Sequence, residues 1–466
     1  MTSIINSVFE AQQKNKYTLR LSTATERIDK LHLLKSAIAE HEEEVYAALQ
    51  RDLRKSKFEA AVTELIFTYS EIDFAIKNLR NWMQPKYAGK SIASLLARNR
   101  IYYEPKGVCL IISPWNYPFQ LLMSPLTSAI AAGNCVILKP SEFSAATSAV
   151  IAKIIRKVFN KNEVACFEGD DSVSKTLLTL PFDHIFFTGS TVVGKIVMKA
   201  AAEHLTSVTL ELGGKSPVII DETAGIKNAA EKIAWGKLVN AGQTCIAPDY
   251  VFVHETKIEE FITHYKSAAE DMFLHKNGQA NESAYAKIIN MRHFDRLTGL
   301  IRDAVKKGAE IAWGGDSVIL EHTIYPTVLR NVDFDSRIMQ EEIFGPVLPV
   351  IPYTNLETPV RIINEKSKPL ALYIFSESKS NIKHLLKSTS SGGACVNDVL
   401  IHISNPNLPF GGVNESGTGS CHGIFGFKTF SHERAVVFQS KANLSGMIYP
   451  PYDKKGWILK MLEKLM

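Results

Sequence analysis

The sequence predicts an α/β fold with two doubly wound domains. From residue 101 onward, short apolar runs such as CVILKP and HIFFTGS alternate with segments of helical length. This is the pattern of a parallel sheet whose strands are buried on both faces and joined by crossover helices. A second alternation starts at YVFVHE and continues through VLPVIPY and LALYIFS, which predicts a second α/β domain.

Composition narrows the class of protein. At 466 residues with 45% hydrophobic content, the chain is long enough for two or three packed domains. Its 53 basic and 48 acidic residues leave a net charge of +5 without long runs of like charge, which argues against nucleic acid as a partner. Six scattered cysteines lack metal-ligand spacing, so we expect free thiols and no metal site. The N-terminal segment does not resemble a secretion signal, so we expect a cytoplasmic protein.

The chain is expected to open with two long amphipathic helices, over residues 25–53 and 58–83. In the second, apolar residues recur at three- and four-residue steps, at Val62, Leu65, Ile66, Tyr69, Ile72, Ile76, Leu79 and Met83. Residues 107–138 then form an uncharged stretch of 32 positions, long enough to span a bilayer. Prolines 114, 118 and 125 divide it into strand, loop, helix and strand, so we expect buried sheet core and no transmembrane segment.

The segment FFTGSTVVGK lies where an apolar strand gives way to a helix. Gly189, Gly194 and Lys195 have the spacing of a nucleotide-binding loop, but Ile196 replaces the hydroxyl that would hold magnesium. Thr191 also replaces the middle glycine of a dinucleotide fingerprint. The segment is therefore either a glycine-containing turn or a helix N-terminus whose free amides bind a phosphate.

Polar residues follow other predicted strands. Lys139 and Glu142, in KPSE, could contact a ribose or phosphate, or could lie in a solvated loop. Glu211 ends an apolar strand, where it is either a solvated strand end or a general base whose pKa is raised by burial. Asn116, in a proline-rich loop, could shape a turn or donate to an oxyanion. Cys245, in GQTC, is either a buried thiol or a nucleophile.

The motifs PWNYP, KPSE, FTGSTVVG, LELGGKSP, GQTC and EEIFGP occur in this order along the chain. Over nearly its whole length, the sequence thereby resembles the aldehyde dehydrogenase superfamily. The opening helices, the PDY after Cys245 and the YPPY at 449–452 look most like the class 3 branch, which includes fatty aldehyde dehydrogenases. Two departures are Asn414, where the family usually has glycine, and EGDDS at 168–172, where two glycines are common.

The resemblance implies NAD(P)-dependent oxidation of an aldehyde to a carboxylic acid. Cys245 would attack the aldehyde to give a thiohemiacetal and then a thioester, and Asn116 would hold the oxyanion. Glu211 would activate the hydrolytic water. The cofactor would be NAD, with NADP also possible. Its contacts would be made by Lys139 and Glu142 at the adenosine ribose, Gly189, Ser190 and Gly194 near the pyrophosphate, and Glu342 and Phe344 at the nicotinamide.

The resemblance also implies an organisation for the chain. We expect a Rossmann-like NAD-binding domain in residues 1–83 and 101–209 and a catalytic domain in residues 210–420. Residues 84–100 and 421–446 would form a small β element that bridges two subunits of a homodimer.

The last segment, 447–466, is expected to form a tail that carries a short amphipathic helix. Its apolar side chains are Trp457, Ile458, Met461, Leu462 and Leu465. This helix either docks on its own protein or makes peripheral contact with a membrane. Together with the resemblance, it favours a long-chain or aromatic aldehyde as the substrate.

Three other functions explain the sequence less well. A cysteine hydrolase would need a histidine base near Cys245 and would leave the cofactor motifs unexplained. A CoA-acylating aldehyde dehydrogenase is disfavoured by Glu211, since a water-activating base competes with acyl transfer to a thiol. A non-catalytic structural member of the fold would be expected to lack Cys245 or Glu211.

Overall fold

The computed structural model describes residues 2–91, 94, 96–441 and 445–465. Its helices, in chain order, are α1 (Thr2–Arg20), α2 (Ala24–Glu40), α3 (Glu42–Leu53), α4 (Lys57–Ala60), α5 (Ile66–Trp82), α6 (Gln120–Ala132), α7 (Ala145–Val158), α8 (Asp171–Leu178), α9 (Thr191–Ala202), α10 (Ile226–Leu238), α11 (Ile258–Phe273), α12 (Met291–Lys306), α13 (Arg337–Gln340), α14 (Glu357–Glu365), α15 (Lys379–Ser388), α16 (Gly423–Thr429) and α17 (Gly456–Leu465).

Its strands, in chain order, are β1 (Lys86–Ala88), β2 (Arg98–Pro105), β3 (Val108–Ile112), β4 (Cys135–Lys139), β5 (Val164–Cys166), β6 (His184–Thr188), β7 (Ser207–Glu211), β8 (Pro217–Ile220), β9 (Tyr250–His254), β10 (Glu310–Trp313), β11 (Ser317–Val318), β12 (Thr323–Ile324), β13 (Thr327–Arg330), β14 (Val347–Tyr353), β15 (Ala371–Phe375), β16 (Gly393–Val396), β17 (Gly417–Thr418) and β18 (Ser431–Phe438).

The first large sheet has the strand order β17-β7-β6-β3-β4-β5. Strands β3 to β7 pair in parallel, and β17 runs antiparallel to β7. Every residue of β3, β4 and β6 is buried, because helices cover both faces of a parallel sheet. The uncharged stretch 107–138 folds as strand, loop, helix and strand, as predicted.

The second large sheet has the order β10-β13-β14-β9-β8-β15-β16. Its pairings are parallel except for that of β10 with β13. The predicted α/β architecture with two parallel sheets is therefore confirmed. The carboxyl ends of the strands in these sheets are where such folds bind ligands.

A small antiparallel sheet has the order β1-β2-β18. Its strands lie close to the expected bridging segments 84–100 and 421–446, although β2 runs on to Pro105. Residues 92, 93, 95 and 442–444 of those segments lie outside the described residues. A role for this sheet between subunits stays a prediction.

The opening helices differ from the prediction. A helix that was not predicted, α1, buries Ile5, Val8 and Phe9 against the first large sheet. The expected helix 25–53 is two helices, α2 and α3, which meet at His41. The backbone of His41 leaves the helical region, with φ −116° and ψ 14°, and no proline or glycine marks the break in the sequence.

The predicted apolar face of residues 58–83 is wrong at its start. Val62 and Ile66 are 44% and 56% exposed, whereas Glu64 and Thr68 are fully buried. The cause is a π-helical turn, Ala61–Leu65, between α4 and α5. An extra residue in one turn rotates the buried face by about 100°, because successive residues in an α-helix are about 100° apart.

The tail forms α17, and its predicted apolar face is only partly covered. Ile458 is buried, whereas Trp457 and Met461 are 60% and 40% exposed. The side chains of Leu462 and Leu465 lie outside the described part of the chain. Among the described helices, none is both long enough and apolar enough to cross a bilayer.

Packing of α9 on the first sheet predicts a stability difference between two helical glycines. A Cβ at Gly194 would lie 2.6 Å from Leu212 Cδ2, whereas a Cβ at Gly299, inside α12, would meet nothing closer than 4.0 Å. We expect Gly194→Ala to lower the free energy of unfolding by about 1–3 kcal/mol through overpacking. Gly299→Ala should raise it by about 0.5–1 kcal/mol, as alanine normally does in a helix. Chemical denaturation measures both values, and equal effects would contradict the close packing at Gly194.

Candidate active site

Four of the predicted site residues meet at one edge of the first sheet. Asn116 follows β3, Lys139 ends β4, Gly189 follows β6 and Glu211 ends β7. Since these strands are parallel neighbours, their carboxyl ends lie on the same side of the sheet. The apolar strands therefore position the polar residues that follow them.

Cys245 reaches this edge from the second sheet, in the loop that leads to β9. The preceding residues Asn240, Ala241 and Gly242 all have positive φ, at 52°, 52° and 75°. A Cβ at Gly242 would clash with the carbonyl of Gly345, so glycine is required there. Such left-handed backbone is unfavourable for Asn240 and Ala241, and surrounding contacts must hold it.

Hydrogen bonds join the Cys245 loop to the Asn116 loop. The side-chain amide of Asn116 donates to the Gln243 carbonyl (3.0 Å), and the Asn240 amide donates to the carbonyls of Asn116 (2.8 Å) and Gln243 (3.1 Å). Tyr117 and Thr244 share a hydrogen bond through their hydroxyls (2.7 Å). The bond to Gln243 uses one of the two N–H donors of Asn116, which leaves the second for a ligand.

Glu211 is almost completely buried at 5% exposure. Neither of its carboxylate oxygens has a hydrogen-bond partner among the described residues. Burial raises the pKa of Glu211 well above its usual range, and the neighbouring thiol of Cys421 opposes this shift only partly. A raised pKa makes the carboxylate a stronger proton acceptor, as the predicted role of Glu211 as a general base requires.

Glu211 and Cys245 line the same small cavity, together with Cys421 and His422. Its volume of about 30 Å³ is enough for a water molecule, which needs about 10–15 Å³. Cys421 and His422 were not predicted as site residues. The pairing of β17 with β7 brings their segment beside Glu211, and that pairing has no signal in the local sequence.

The thiol of Cys245 is held in its neutral form. Burial raises its pKa, and the carboxyl groups of Glu342 and Glu211 raise it further. Hydrogen bonds from the backbone amides of Cys245 and Ile246 act in the opposite direction. In the ligand-free protein, burial therefore favours the protonated forms of both Cys245 and Glu211.

Glu342 and Phe344 lie on a loop that Arg296 and Asp249 hold by its backbone. Arg296 donates to the carbonyls of Glu342 (3.1 Å) and Ile343 (2.6 Å), and Asp249 accepts from the Ile343 amide (2.9 Å). Burial, followed by the charge of Asp249, raises the pKa of Glu342 to about 8.

Phe344 has the positive φ of 49° and packs edge-to-face on Trp115, with ring centroids 5.4 Å apart. A Cβ at Gly213 would clash with the Glu342 carboxyl group, so the glycine pair after Glu211 makes room for that side chain. The structure thus brings Glu342 beside the strand that ends at Glu211.

The residues expected at the adenosine end form an ion pair. Lys139 Nζ lies 3.1 Å from Glu142 Oε2 and donates to the Pro140 carbonyl (2.8 Å). The side chain of Lys139 is 2% exposed and that of Glu142 is 34% exposed. Glu142 is therefore the more accessible of the two to a ligand.

The structure distinguishes the residues of the glycine segment. Gly194 is buried against Leu212, so its role is to let α9 pack on the sheet. Ser190 is exposed and caps the start of α9 by accepting a hydrogen bond from the Val193 amide (3.4 Å). The exposed first turn of α9 presents amides that could bind an anion, and contact of Gly194 with a cofactor stays a prediction.

A larger cleft of about 630 Å³ opens beside this site. Its lining includes Thr191 at the start of α9, Gly213, Lys215 and Glu342. The amides of a helix N-terminus, a cation and a carboxylate are groups that suit the phosphate and hydroxyl groups of a dinucleotide. Within the described ranges, no three His, Cys, Asp or Glu residues are grouped so that they could hold a metal ion.

The two departures from the family pattern are accommodated locally. Asn414 has φ 57°, in the left-handed region that asparagine tolerates better than most residues. Asp170 caps the start of α8 by accepting a hydrogen bond from the Ser172 amide (3.0 Å).

Comparison with known proteins gives a family match over most of the chain. The aldehyde dehydrogenase family matches residues 2–436. A 4,4'-diaponeurosporen-aldehyde dehydrogenase of Staphylococcus aureus is 44% identical over 438 residues, which cover 94% of each chain. Aldehyde dehydrogenase family 3 member B1 of Rattus norvegicus is 43% identical over 449 residues, which cover 96% of this chain and 94% of the relative.

A solved structure shares the whole fold. The substrate-bound state of AldH from Staphylococcus aureus superposes with a TM-score of 0.94 at 42% identity. The match covers 98% of this chain and 99% of that one.

The raised pKa of Cys245 predicts slow alkylation at neutral pH. An acid with a raised pKa forms its anion only at higher pH, and only the thiolate reacts. We expect iodoacetamide to modify Cys245 in ligand-free protein more slowly than it modifies glutathione at about pH 7, with the rate still rising above the usual thiol pKa of about 8.5. Peptide mass spectrometry measures the rate. Modification as fast as that of glutathione would contradict a neutral resting thiol.

Proposed function

The chain belongs to the aldehyde dehydrogenase family of oxidoreductases, and from that premise we propose that it oxidises long-chain or aromatic aldehydes to carboxylic acids, with NAD as the preferred cofactor. The observation that carries the proposal is that Cys245 and the buried Glu211 line one cavity. A nucleophile and a base thus lie within reach of one reacting carbon.

In the first half of the reaction, Cys245 attacks the aldehyde carbon. The Sγ–C bond forms as the thiol proton moves to Glu211 in its carboxylate form, which the raised pKa makes a strong acceptor. The resulting oxyanion accepts hydrogen bonds from the side-chain amide of Asn116 and the backbone N–H of Cys245. Loss of one such donor typically costs about 3 kcal/mol of barrier.

The chemistry that a bound NAD(P) supplies is acceptance of the hydride. In the second half of the reaction, an acyl thioester remains on Cys245. Once Glu211 has released the thiol proton to solvent, its carboxylate takes a proton from a water in the shared cavity, so that the water oxygen attacks the acyl carbon and the Cys245 thiolate leaves. The cavity beside Glu211 is large enough for that water.

The preference for NAD is proposed from Glu142. Its partly exposed carboxylate, beside Lys139, suits the hydroxyls of an adenosine ribose. Lys139 could also tolerate a 2′-phosphate, so NADP remains an alternative, in agreement with the use of NAD(P) in this family. Ser190 and the first turn of α9 are proposed at the pyrophosphate, and Glu342 with Phe344 at the nicotinamide.

An apolar substrate is proposed from the surroundings of the site and from the tail. Leu121, Ile403 and Phe410 line the cavity beside Cys245. On α17, Trp457 and Leu459 are each 60% exposed. Such side chains suit contact with a long alkyl chain or with a lipid surface from which the aldehyde arrives.

A homodimer in the cytoplasm is also proposed. On the small sheet, Tyr87, Val437 and Phe438 are 60%, 59% and 44% exposed, which is the kind of surface that a second copy would cover. The six cysteines are unpaired, as expected in a reducing compartment. Neither CoA acylation nor a non-catalytic role accounts for a base buried beside the nucleophile.

Removal of the nucleophile and of the base should block different steps. We expect Cys245→Ala to abolish aldehyde oxidation and to leave NAD binding intact, because the cofactor contacts lie on other segments. Glu211→Gln should give one rapid burst of reduced cofactor per site, followed by slow turnover. Stopped-flow absorbance measures both, with Cys166→Ala as the control for loss of a thiol elsewhere. Turnover by Cys245→Ala would contradict the mechanism.

The pKa of Glu211 also gives a pH dependence. Water activation needs the carboxylate form, and a raised pKa means that this form is lost at a higher pH than it is for an ordinary glutamate. The deacylation rate of the wild-type protein should therefore increase with pH across the neutral range. In Glu211→Gln it should not change with pH.

Substrate preference should follow aldehyde chain length. Each methylene buried on binding contributes about 0.8 kcal/mol, so kcat/KM should rise from short to long alkyl aldehydes. Deletion of residues 454–466 should weaken this trend and leave short aldehydes unaffected. A kcat/KM that is flat or falls with chain length in the intact protein would exclude the apolar substrate.

A further inference from the structure

A buried ion pair lies beside the Asn116 loop and takes no part in the chemistry proposed above. Lys55 and Glu64 are both fully buried, and Lys55 Nζ lies 2.6 Å from Glu64 Oε1. Removing two charges from water is unfavourable, and apolar residues would often stabilise a core as well or better. Stability alone therefore does not explain why Lys55 and Glu64 are buried here.

Both members of the pair hold the Asn116 loop. Lys55 Nζ donates to the backbone carbonyl of Asn116 (2.9 Å) and lies 3.8 Å from the centre of the Tyr117 ring. Glu64 Oε2 accepts from the backbone amides of Phe119 (3.1 Å) and Gln120 (2.9 Å), where α6 begins. The loop that carries the oxyanion donor is thus fixed at both ends by charged groups.

Glu59, in α4, holds the loop that carries Cys245. Glu59 Oε1 accepts from the backbone amide of Asn240 (3.0 Å), the first of the residues with positive φ before Cys245. The side chain of Asn240 in turn donates to the carbonyls of Asn116 and Gln243. Glu59 therefore helps to maintain an unfavourable backbone geometry next to the nucleophile.

The π-helical turn Ala61–Leu65 determines which side chains of this helix are buried. It begins two residues after Glu59 and includes Glu64, which it turns inward while Val62 and Ile66 face outward. Single π turns are rare and occur often at functional sites. A regular helix here would bury the apolar residues that the sequence pattern predicts and would expose Glu64.

We propose that Lys55, Glu64 and Glu59 are positioning residues that fix the Asn116 amide and the Cys245 loop in the geometry that binds the oxyanion. The inference rests on the proposed function, in which that amide stabilises the first intermediate. Hydrogen bonds to charged groups are directional, so they set where a loop lies more narrowly than apolar packing does. A displacement of about 1 Å at such a donor can cost about 100-fold in rate.

The test removes both charges of the ion pair at once. The double variant Lys55→Met, Glu64→Gln removes both charges of the pair, and loss of the Lys55 charge raises the pKa of Glu59 so that this carboxyl group is more easily buried as the neutral acid; the variant should therefore fold. We expect the first-turnover rate of NADH formation to fall at least about tenfold. The burst amplitude per folded protein and the KM for NAD should be unchanged. The matched control, Lys57→Met with Glu43→Gln, removes an exposed ion pair close by and should keep the wild-type rate.

Two comparisons separate positioning from general stability. Glu59→Gln keeps an acceptor for the Asn240 amide and should turn over nearly as the wild type does, whereas Glu59→Leu should show the slow first turnover. An unchanged rate in the double variant overturns the inference. A lower burst amplitude at an unchanged rate also overturns the inference. Equal rates in the two Glu59 variants overturn it as well.

Hydrogen exchange provides a test that does not depend on activity. In ligand-free protein, segments 113–120 and 240–245 should exchange faster in the double variant than in the wild type and the control. Equal exchange in all three contradicts the positioning role. Absence of NADH formation by the wild-type protein with aldehydes would instead contradict the proposed function.

Discussion

The active site is held together through the backbone carbonyls of Asn116 and Gln243. Both accept hydrogen bonds from the amide of Asn240, and Asn116 itself donates to Gln243. Asn116 follows a strand of the first sheet, whereas Gln243 lies in the loop that leads into the second. These few bonds therefore set the distance between the oxyanion donor and Cys245, and Glu211 is placed by the same first sheet.

Burial determines the protonation of the groups that react. It is the main cause of the raised pKa of Cys245, Glu211 and Glu342. Because the raised pKa makes the Glu211 carboxylate a strong base, the first step can proceed by transfer of one proton from Cys245 to that carboxylate within a dry site. In such surroundings, oriented donors such as the Asn116 amide stabilise a new charge much more than they would in water.

The sequence predicts much of the site because its residues follow apolar runs. Asn116 and Glu211 each come at or after the end of a strand, and the parallel sheet brings those ends together. Glu64 could not be predicted, because charged residues in an amphipathic helix normally face water and the π turn that buries Glu64 has no sequence signature. Lys55 lies between α3 and α4, where a lysine normally faces water as well. Cys421 was missed because its contact with Glu211 depends on strand pairing between distant segments.

The central claim is that Cys245 carries the acyl group that Glu211 releases. The most direct measurement is the mass of the peptide that contains Cys245, after Glu211→Gln protein has been mixed with NAD and an aldehyde and quenched in acid. The account predicts that this peptide gains the mass of the acyl group, in step with NADH formation. NADH formation without an acyl group on this peptide, or with the acyl group on another cysteine such as Cys421, would contradict it.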